Sequence, residues 1–227
     1  MAFSISTARA SGALYLGLGV LGGFSIAYLP VFIQVPGDTI ATYQNAVDSE
    51  VLFRVSIASG LLHKVLLLGL AFLFSHLFGR HSKTLASSMI ALVSVSVSIY
   101  FVVMLDLYAS LPLLNQSVDR AASNASIFAQ HISAYLTGLE LVSIFWGLWL
   151  LPLGYLIIQT ALVPRYIGVV LIAGGAGYLL NFFGPLLAPT VYVGGPLSIF
   201  IASISAAGEL GLALWLLIMG TRSNITE

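Results

Sequence analysis

Five ionisable residues lie inside long apolar stretches of this sequence: His63, Lys64, Asp106, Glu140 and Glu209. An ionisable side chain in the middle of a membrane-spanning helix costs about 2.5 to 3.5 kcal/mol on insertion scales, so it usually faces protein or water. A cluster of one base and two acids, such as Lys64 with Glu140 and Glu209, has the chemistry of a proton relay or of a cation site. These five residues are therefore the candidate ligand-binding cluster.

Three of them, Lys64, Glu140 and Glu209, are expected to lie at a similar depth. Their spans all enter from the outer side, and the helical rise puts them about 13 to 20 Å below the outer surface. Because a buried charge without a partner is costly, we expect Lys64 to pair with Glu140, with Glu209 or with both. Two interpretations stay open, a site for a small solute, ion or proton and a structural ion pair that fixes helix register.

Catalysis and metal binding have little support in the residue types. The chain has no Cys, which excludes disulfides, thiolate catalysis and Cys-based metal sites. A zinc site made from His63, Asp106 and His131 would lack HxxxH or HExxH spacing and would combine histidines at different depths. No Ser, His and Asp arrangement and no phosphate loop stands out. We therefore expect no catalytic residue, no metal and no cofactor.

The composition places these residues in a membrane. Of the 227 residues only 7% are charged, whereas an average soluble chain is about a quarter charged. Six stretches reach the length of about 20 apolar residues that crosses a bilayer as a helix. They are roughly 11–33, 52–78, 84–108, 131–159, 165–183 and 196–220. The predicted fold is an all-α, polytopic integral membrane helix bundle of six transmembrane helices, a single domain over 1–227 that contacts membrane lipids.

The positions of the basic residues predict the orientation of the bundle. Five of the eight Lys and Arg residues lie in tails and loops that six spans put on one side, and only Arg54 and Arg120 belong to the other side. The positive-inside rule makes the first side cytoplasmic, so both termini are expected inside. The net charge of zero gives no basic field for nucleic acid. The five basic residues on the predicted cytoplasmic side are Arg9, Arg80, Lys83, Arg165 and Arg222.

The first outer loop has the residues of a capped turn. Pro36-Gly37-Asp38-Thr39 is turn chemistry, and Asp38 is expected to cap a short helix from about Thr39 to Val47.

Two features indicate which helix faces contact another helix and which face lipid. Gly19 and Gly23 have the GxxxG spacing that allows another helix to approach closely, and an oligomer is possible. Four aromatic residues are assigned to lipid-facing or interfacial belts, because such rings prefer the headgroup level. They are Tyr28, Tyr100, Tyr108 and Trp215.

Several short segments together resemble a known family. They include Thr7-Ala8-Arg9 before Gly12-Ala13-Leu14-Tyr15, Val35-Pro36-Gly37-Asp38-Thr39 with Thr42 and Asn45, Leu52-Phe53-Arg54, Gly147, Gly154-Tyr155, Leu162-Val163-Pro164-Arg165, Gly208-Glu209 and Leu214-Trp215-Leu216. In this order they are similar to the domain-of-unknown-function family 4386, small bacterial multi-helix membrane proteins. The resemblance covers nearly the whole chain and implies a six-helix protein of the inner (plasma) membrane, without an activity. Many relatives are expected to have an acidic residue at the level of His63-Lys64, so a role for Lys64 would not extend to all of them.

Three functions remain open. The first is a membrane protein that binds or moves a small solute or proton through the cluster of Lys64, Glu140 and Glu209. The second is a structural or regulatory membrane partner in which the same residues form only a structural ion pair. An intramembrane enzyme that modifies lipids ranks last, since no activated nucleophile is evident.

Overall fold

The computed structural model describes residues 5–115, 121–190 and 196–221. In these ranges the chain forms seven α-helices and no β-strand. A π-helical turn, Leu29–Ile33, continues the first helix, and a 3₁₀ turn, Leu111–Asn115, continues the fourth. The α-helices are α1 (Ile5–Tyr28), α2 (Thr39–Asp48), α3 (Glu50–Phe78), α4 (Lys83–Ser110), α5 (Ala121–Thr160), α6 (Arg165–Leu187) and α7 (Pro196–Met219).

Six helical segments are long and apolar enough to cross a membrane, which confirms the all-α, six-span prediction. They are Thr7–Ile33, Glu50–Phe78, Lys83–Asn115, Ala122–Thr160, Arg165–Leu187 and Phe200–Met219. The sidedness of the termini stays a prediction. Two of the basic residues used for it, Arg120 and Arg222, lie outside the described residues.

Helices α5 and α6 are among those that extend beyond their predicted bounds. Helix α6 continues past Phe183 to Leu187 and keeps Pro185 in its last turn. Helix α5 begins at Ala121 rather than near His131. Its early turns are held by packing, because the Phe128 ring lies 5.7 Å from the ring of Tyr43 and 5.8 Å from that of Phe53, measured between centroids. Tertiary contacts of this kind stabilise helical turns that hydropathy alone does not predict.

The loop between the first two spans is built by its own hydrogen bonds. Asp38 caps α2 as predicted, since its Oδ1 accepts a hydrogen bond from the Ala41 amide at 2.8 Å. Gly37 has a φ of 81°, a left-handed conformation that favours glycine. The Thr42 hydroxyl accepts from the Val35 amide at 2.9 Å and donates to the Asp38 carbonyl at 2.7 Å. The loop that leads into α2 is therefore fixed in shape.

The chain divides into two compact units, and helices α1, α3, α4 and α5 contribute residues to both. In unit 1, α5 and α6 pack backbone to backbone, since a Cβ added at Gly154 would overlap the carbonyl oxygen of Gly168. Unit 1 comprises Met1–Gly17, Leu66–Ser96 and Leu141–Glu227, and unit 2 comprises Leu18–Val65 and Val97–Glu140.

The predicted helix faces need correction. Tyr28 and Tyr100 are 3% and 1% exposed, so their assignment to lipid-facing or interfacial belts was wrong, whereas Tyr108 is 66% exposed. The reason is that a helix apolar on every side carries no pattern that separates its inner from its outer face. A Cβ added at Gly19 or Gly23 would meet nothing within 4 Å, so among the described residues no helix makes close contact there.

Candidate functional site

A buried lysine is the centre of the candidate site in unit 2. Lys64 on α3 is only 1% exposed, and its Nζ lies 4.7 Å from the ring centroid of Tyr100 on α4. The negative face of an aromatic ring attracts a cation, by about 2 kcal/mol when both groups are desolvated. Tyr100 therefore compensates part of the cost of keeping an ammonium group inside the protein.

Two further polar residues accompany this pair. The Ser25 Oγ on α1 lies 3.4 Å from the phenolic oxygen of Tyr100. His63 precedes Lys64 on α3, and its Nδ1 is buried with no hydrogen-bond partner in the described part of the chain. A buried polar atom without a partner is rare in proteins and calls for a physical reason. Ser25, His63, Lys64 and Tyr100 are together called the Lys64 cluster below.

Glycines let the helices approach at this cluster. A Cβ added at Gly60 would overlap both the Ser25 hydroxyl and the Tyr100 hydroxyl, and a Cβ added at Gly22 would overlap the His63 ring. Small residues at such points allow helix backbones in a membrane to come close enough for polar contacts. Gly22 and Gly60, which have no side chain, therefore allow Ser25, His63 and Tyr100 to occupy these positions.

The other predicted site residues have their own surroundings. In unit 2, the Oδ1 of Asp106 lies 3.1 Å from Nδ1 of His131, which joins α4 to α5. Glu140 is an exposed residue of α5 that lines a groove together with Asp38. In unit 1, Glu209 accepts a hydrogen bond from the Tyr15 hydroxyl. The prediction that Lys64 pairs with Glu140, with Glu209 or with both stays a prediction.

The Tyr15 hydroxyl approaches Oε2 of Glu209 to 2.6 Å. The Tyr15 ring is buried and meets Phe74 and Trp149 edge to face, with centroid distances of 5.5 and 6.3 Å. Edge-to-face contacts are a favourable arrangement for aromatic rings. Unit 1 thus holds Glu209, one of the predicted site residues, beside the buried ring of Tyr15.

Sequence reasoning did not find Tyr15, Ser25 or Tyr100 as members of these sites. The available signal for Tyr100 was its position in the interior of α4, about 15 Å from the end of that helix, where a phenol cannot reach the water boundary. Among the described residues no group of three or more His, Cys, Asp or Glu could hold a metal ion.

Six apolar helices with ionisable residues inside them define a multi-pass membrane protein. Residues 10–220 match the family described as Domain of unknown function (DUF4386), so the chain belongs to that family and the predicted resemblance is confirmed. A similar protein, an uncharacterized protein of Archaeoglobus fulgidus, is 27% identical over 133 residues, which are 57% of this chain and 77% of that protein. No solved structure matches the chain.

Proposed function

We propose that this multi-pass membrane protein passes protons, or a small solute that carries a proton, through the Lys64 cluster. The observation that carries the proposal is the burial of Lys64 against the Tyr100 ring. Ionisable residues inside membrane-spanning helices are costly, and where they occur they commonly mark ion and proton pathways.

The chemistry of the cluster supports this role. An ammonium, an imidazole, a phenol and a hydroxyl can each give up or take a proton. They come from three helices, since Ser25 is on α1, His63 and Lys64 are on α3, and Tyr100 is on α4. The buried Nδ1 of His63 offers a passing molecule a hydrogen-bonding atom with no protein partner in the described residues. Glu140, which belongs to the same unit as Lys64, is proposed as the acid that balances the charge of Lys64.

We place the protein in the inner (plasma) membrane with both termini in the cytoplasm. The sidedness is supported by the distribution of Lys and Arg, which is biased toward the tails and the even-numbered loops, and the choice of membrane rests on the family resemblance. In this orientation the α2 loop lies on the outer side.

The experiment is a proton-flux assay on the purified full chain in liposomes, with a pH-sensitive dye inside and a potassium diffusion potential as the driving force. We expect the wild type to exceed empty liposomes and Lys64→Met to fall to their level. The matched control is Lys83→Met, because Lys83 is exposed at the start of α4. It removes the same charge without touching the Lys64 cluster and is expected to leave the flux unchanged.

Tyr100→Phe is the second variant, because it keeps the ring under Lys64 and removes only the phenolic hydroxyl beside Ser25. If that hydroxyl carries protons, the variant folds and its flux falls. A wild-type flux no greater than that of empty liposomes, or a Lys64→Met flux equal to the wild type, contradicts the proposal. Gel filtration and circular dichroism of each variant separate a lost pathway from a lost fold.

A structural role is the second candidate, and the close packing at Gly60 favours it. The overlap that a Cβ would make there with Ser25 and Tyr100 shows that this side of the cluster is filled. In that case Lys64 and Tyr100 hold α3 against α4 and nothing passes. Loss of the Tyr100 ring would then lower the free energy of unfolding, because it leaves the buried ammonium without its compensating partner, and the wild type would not conduct protons.

A further inference from the structure

Unit 1 has an apolar groove between α6 and α7, separate from the Lys64 cluster, with a volume of about 440 Å³. Its α7 wall runs from Ala207 to Met219, and its α6 wall includes Tyr166 and Val170. Because a helix rises about 1.5 Å per residue, the α7 wall is about 18 Å long. That length is close to the depth of one leaflet, which is half of a hydrocarbon core about 30 Å thick.

The groove owes its depth to small residues. A Cβ added at Gly211 would meet nothing within 4 Å, so the groove is open at this position. The side chains of Leu214, Ile218 and Met219 are exposed along the same wall, and the described lining contains no charged residue. An exposed, concave apolar surface of this kind is typical of a site for a ligand or for the membrane itself.

One end of the groove is positively charged. The Arg9 guanidinium, which comes from α1, donates a hydrogen bond to the carbonyl oxygen of Ile218 at 3.3 Å. Arg165 begins α6 directly before Tyr166, and both arginines are exposed. The bond to Ile218 uses one of the five N–H donors of a guanidinium. The end formed by Tyr166 and Ile218 is therefore bordered by two cations.

The acidic residue of α7 lies far from this end. Glu209 precedes Ile218 by nine residues, which is about 13 Å along the helix axis. Its Oε2 accepts the hydrogen bond from the Tyr15 hydroxyl, and Glu209 is not part of the described lining. The two arginines thus give this end of the groove a charge that suits an anion.

The charge also distinguishes between two occupants. Ala207 and Gly211 have the spacing of small residues that lets membrane helices pair, so a second copy of this chain is the competing occupant. Two copies in one membrane have the same orientation, and a symmetric contact through this groove would bring Arg9 and Arg165 of both copies to the same level. Like charges across an interface oppose association. An anionic ligand gains from the same arginines.

We propose that this groove binds an anionic phospholipid, with one acyl chain between α6 and α7 and its phosphate at Arg9 and Arg165. The planar guanidinium matches the oxygens of a phosphate, and a tyrosine such as Tyr166 suits the headgroup level. Basic pockets between membrane-spanning helices bind anionic headgroups in other membrane proteins. The site does not depend on the Lys64 cluster, and its test uses no proton flux.

The experiment titrates the detergent-purified full chain with phosphatidylglycerol and with phosphatidylcholine of identical acyl chains, and native mass spectrometry measures the bound lipid. We expect phosphatidylglycerol to bind about tenfold more tightly, the effect of one charge-assisted hydrogen bond. Arg9→Gln and Arg165→Gln should each reduce this preference, and Arg9→Lys should retain part of it because it keeps the charge. The matched control is Lys83→Gln, which removes an exposed cation at the start of α4 and should leave the preference unchanged.

A second pair of variants tests the apolar part of the groove. Gly211→Leu places a side chain into open space and is expected to fold and to lose the binding of both lipids. Gly69→Leu is the matched control, because a Cβ at Gly69 also meets nothing within 4 Å and Gly69 does not line the groove. It is expected to bind phosphatidylglycerol as the wild type does.

Four results would overturn the proposal. The first is that the wild type binds phosphatidylcholine as tightly as phosphatidylglycerol. The second is that the double variant with Arg9→Gln and Arg165→Gln keeps the full preference. The third is that Gly211→Leu binds phosphatidylglycerol like the wild type. The fourth is a dimer in the mass spectra that Gly211→Leu converts to a monomer, since a second copy would then occupy the groove.

Discussion

The Tyr15 hydroxyl donates a hydrogen bond of 2.6 Å to Oε2 of Glu209, and the two residues are brought together from α1 and α7. Both belong to segments by which the sequence resembles its family, Gly12-Ala13-Leu14-Tyr15 and Gly208-Glu209. Gly12 itself packs against the α7 backbone, where an added Cβ would overlap the Leu217 amide. Two distant family segments thus meet in one helix contact of unit 1.

The hydrogen bond between Tyr15 and Glu209 predicts a measurable coupling free energy between these two residues. Interhelical hydrogen bonds in membrane proteins contribute about 0.6 kcal/mol on average and at most about 1.7 kcal/mol. A double-mutant cycle with Tyr15→Phe and Glu209→Gln, measured by unfolding in SDS and mixed micelles, is expected to give a coupling in that range. The control is Tyr108→Phe, since Tyr108 is exposed and the change should be nearly neutral. A coupling of zero would mean that the bond contributes nothing to stability.

Gly60→Ala is expected to destabilise the protein by about 1 to 3 kcal/mol, the cost of overpacking a filled interior. The new methyl group would collide with the hydroxyls of Ser25 and Tyr100. Gly69→Ala is the matched control on the same helix α3, because a Cβ there meets nothing within 4 Å. Unfolding midpoints of the two variants provide the comparison. Equal midpoints would show that the contact at Gly60 can relax.

The Asp106 and His131 pair is expected to contribute little to stability. Their side chains are 36% and 28% exposed, and hydrogen bonds between membrane helices usually yield less than about 1 kcal/mol. A cycle with Asp106→Asn and His131→Gln should therefore show a coupling below that value. A much larger coupling would make the pair a main contact between α4 and α5.

The absence of Cys from the sequence permits a clean test of sidedness. Gln44→Cys on α2 and His81→Cys between α3 and α4 each introduce one exposed thiol. With both termini inside, a membrane-impermeant maleimide should label Gln44→Cys in intact cells and His81→Cys only after permeabilisation. The opposite pattern would invert the predicted orientation.

Features set by local sequence could be predicted, and contacts between distant residues could not. The six spans follow from length and hydropathy, and the start of α2 follows from Asp38 and the turn before it. The ring of Tyr100 was assigned to lipid because the apolar pattern of α4 does not show which side faces the protein. Which side of such a helix faces the protein is determined by the helices that pack against it.

In the candidate site, too, features set by local sequence could be predicted and contacts between distant residues could not. An ionisable residue inside an apolar stretch is visible in the sequence, and Lys64 is indeed buried. Its contact with Tyr100 joins two spans and has no local signature. The approach of Asp106 to His131 could have been found, because both residues lie toward the ends of α4 and α5 that one loop connects.

The burial of Lys64 also constrains how the chain is made. Lys64 on α3 is synthesised before Tyr100 on α4, so α3 alone would present an ammonium group to lipid at a cost of about 2.5 to 3.5 kcal/mol. Only a short turn, between Phe78 and Lys83, separates the two helices. Release of α3 and α4 from the insertion machinery as one hairpin avoids that exposure, which makes this pair the natural unit of membrane integration.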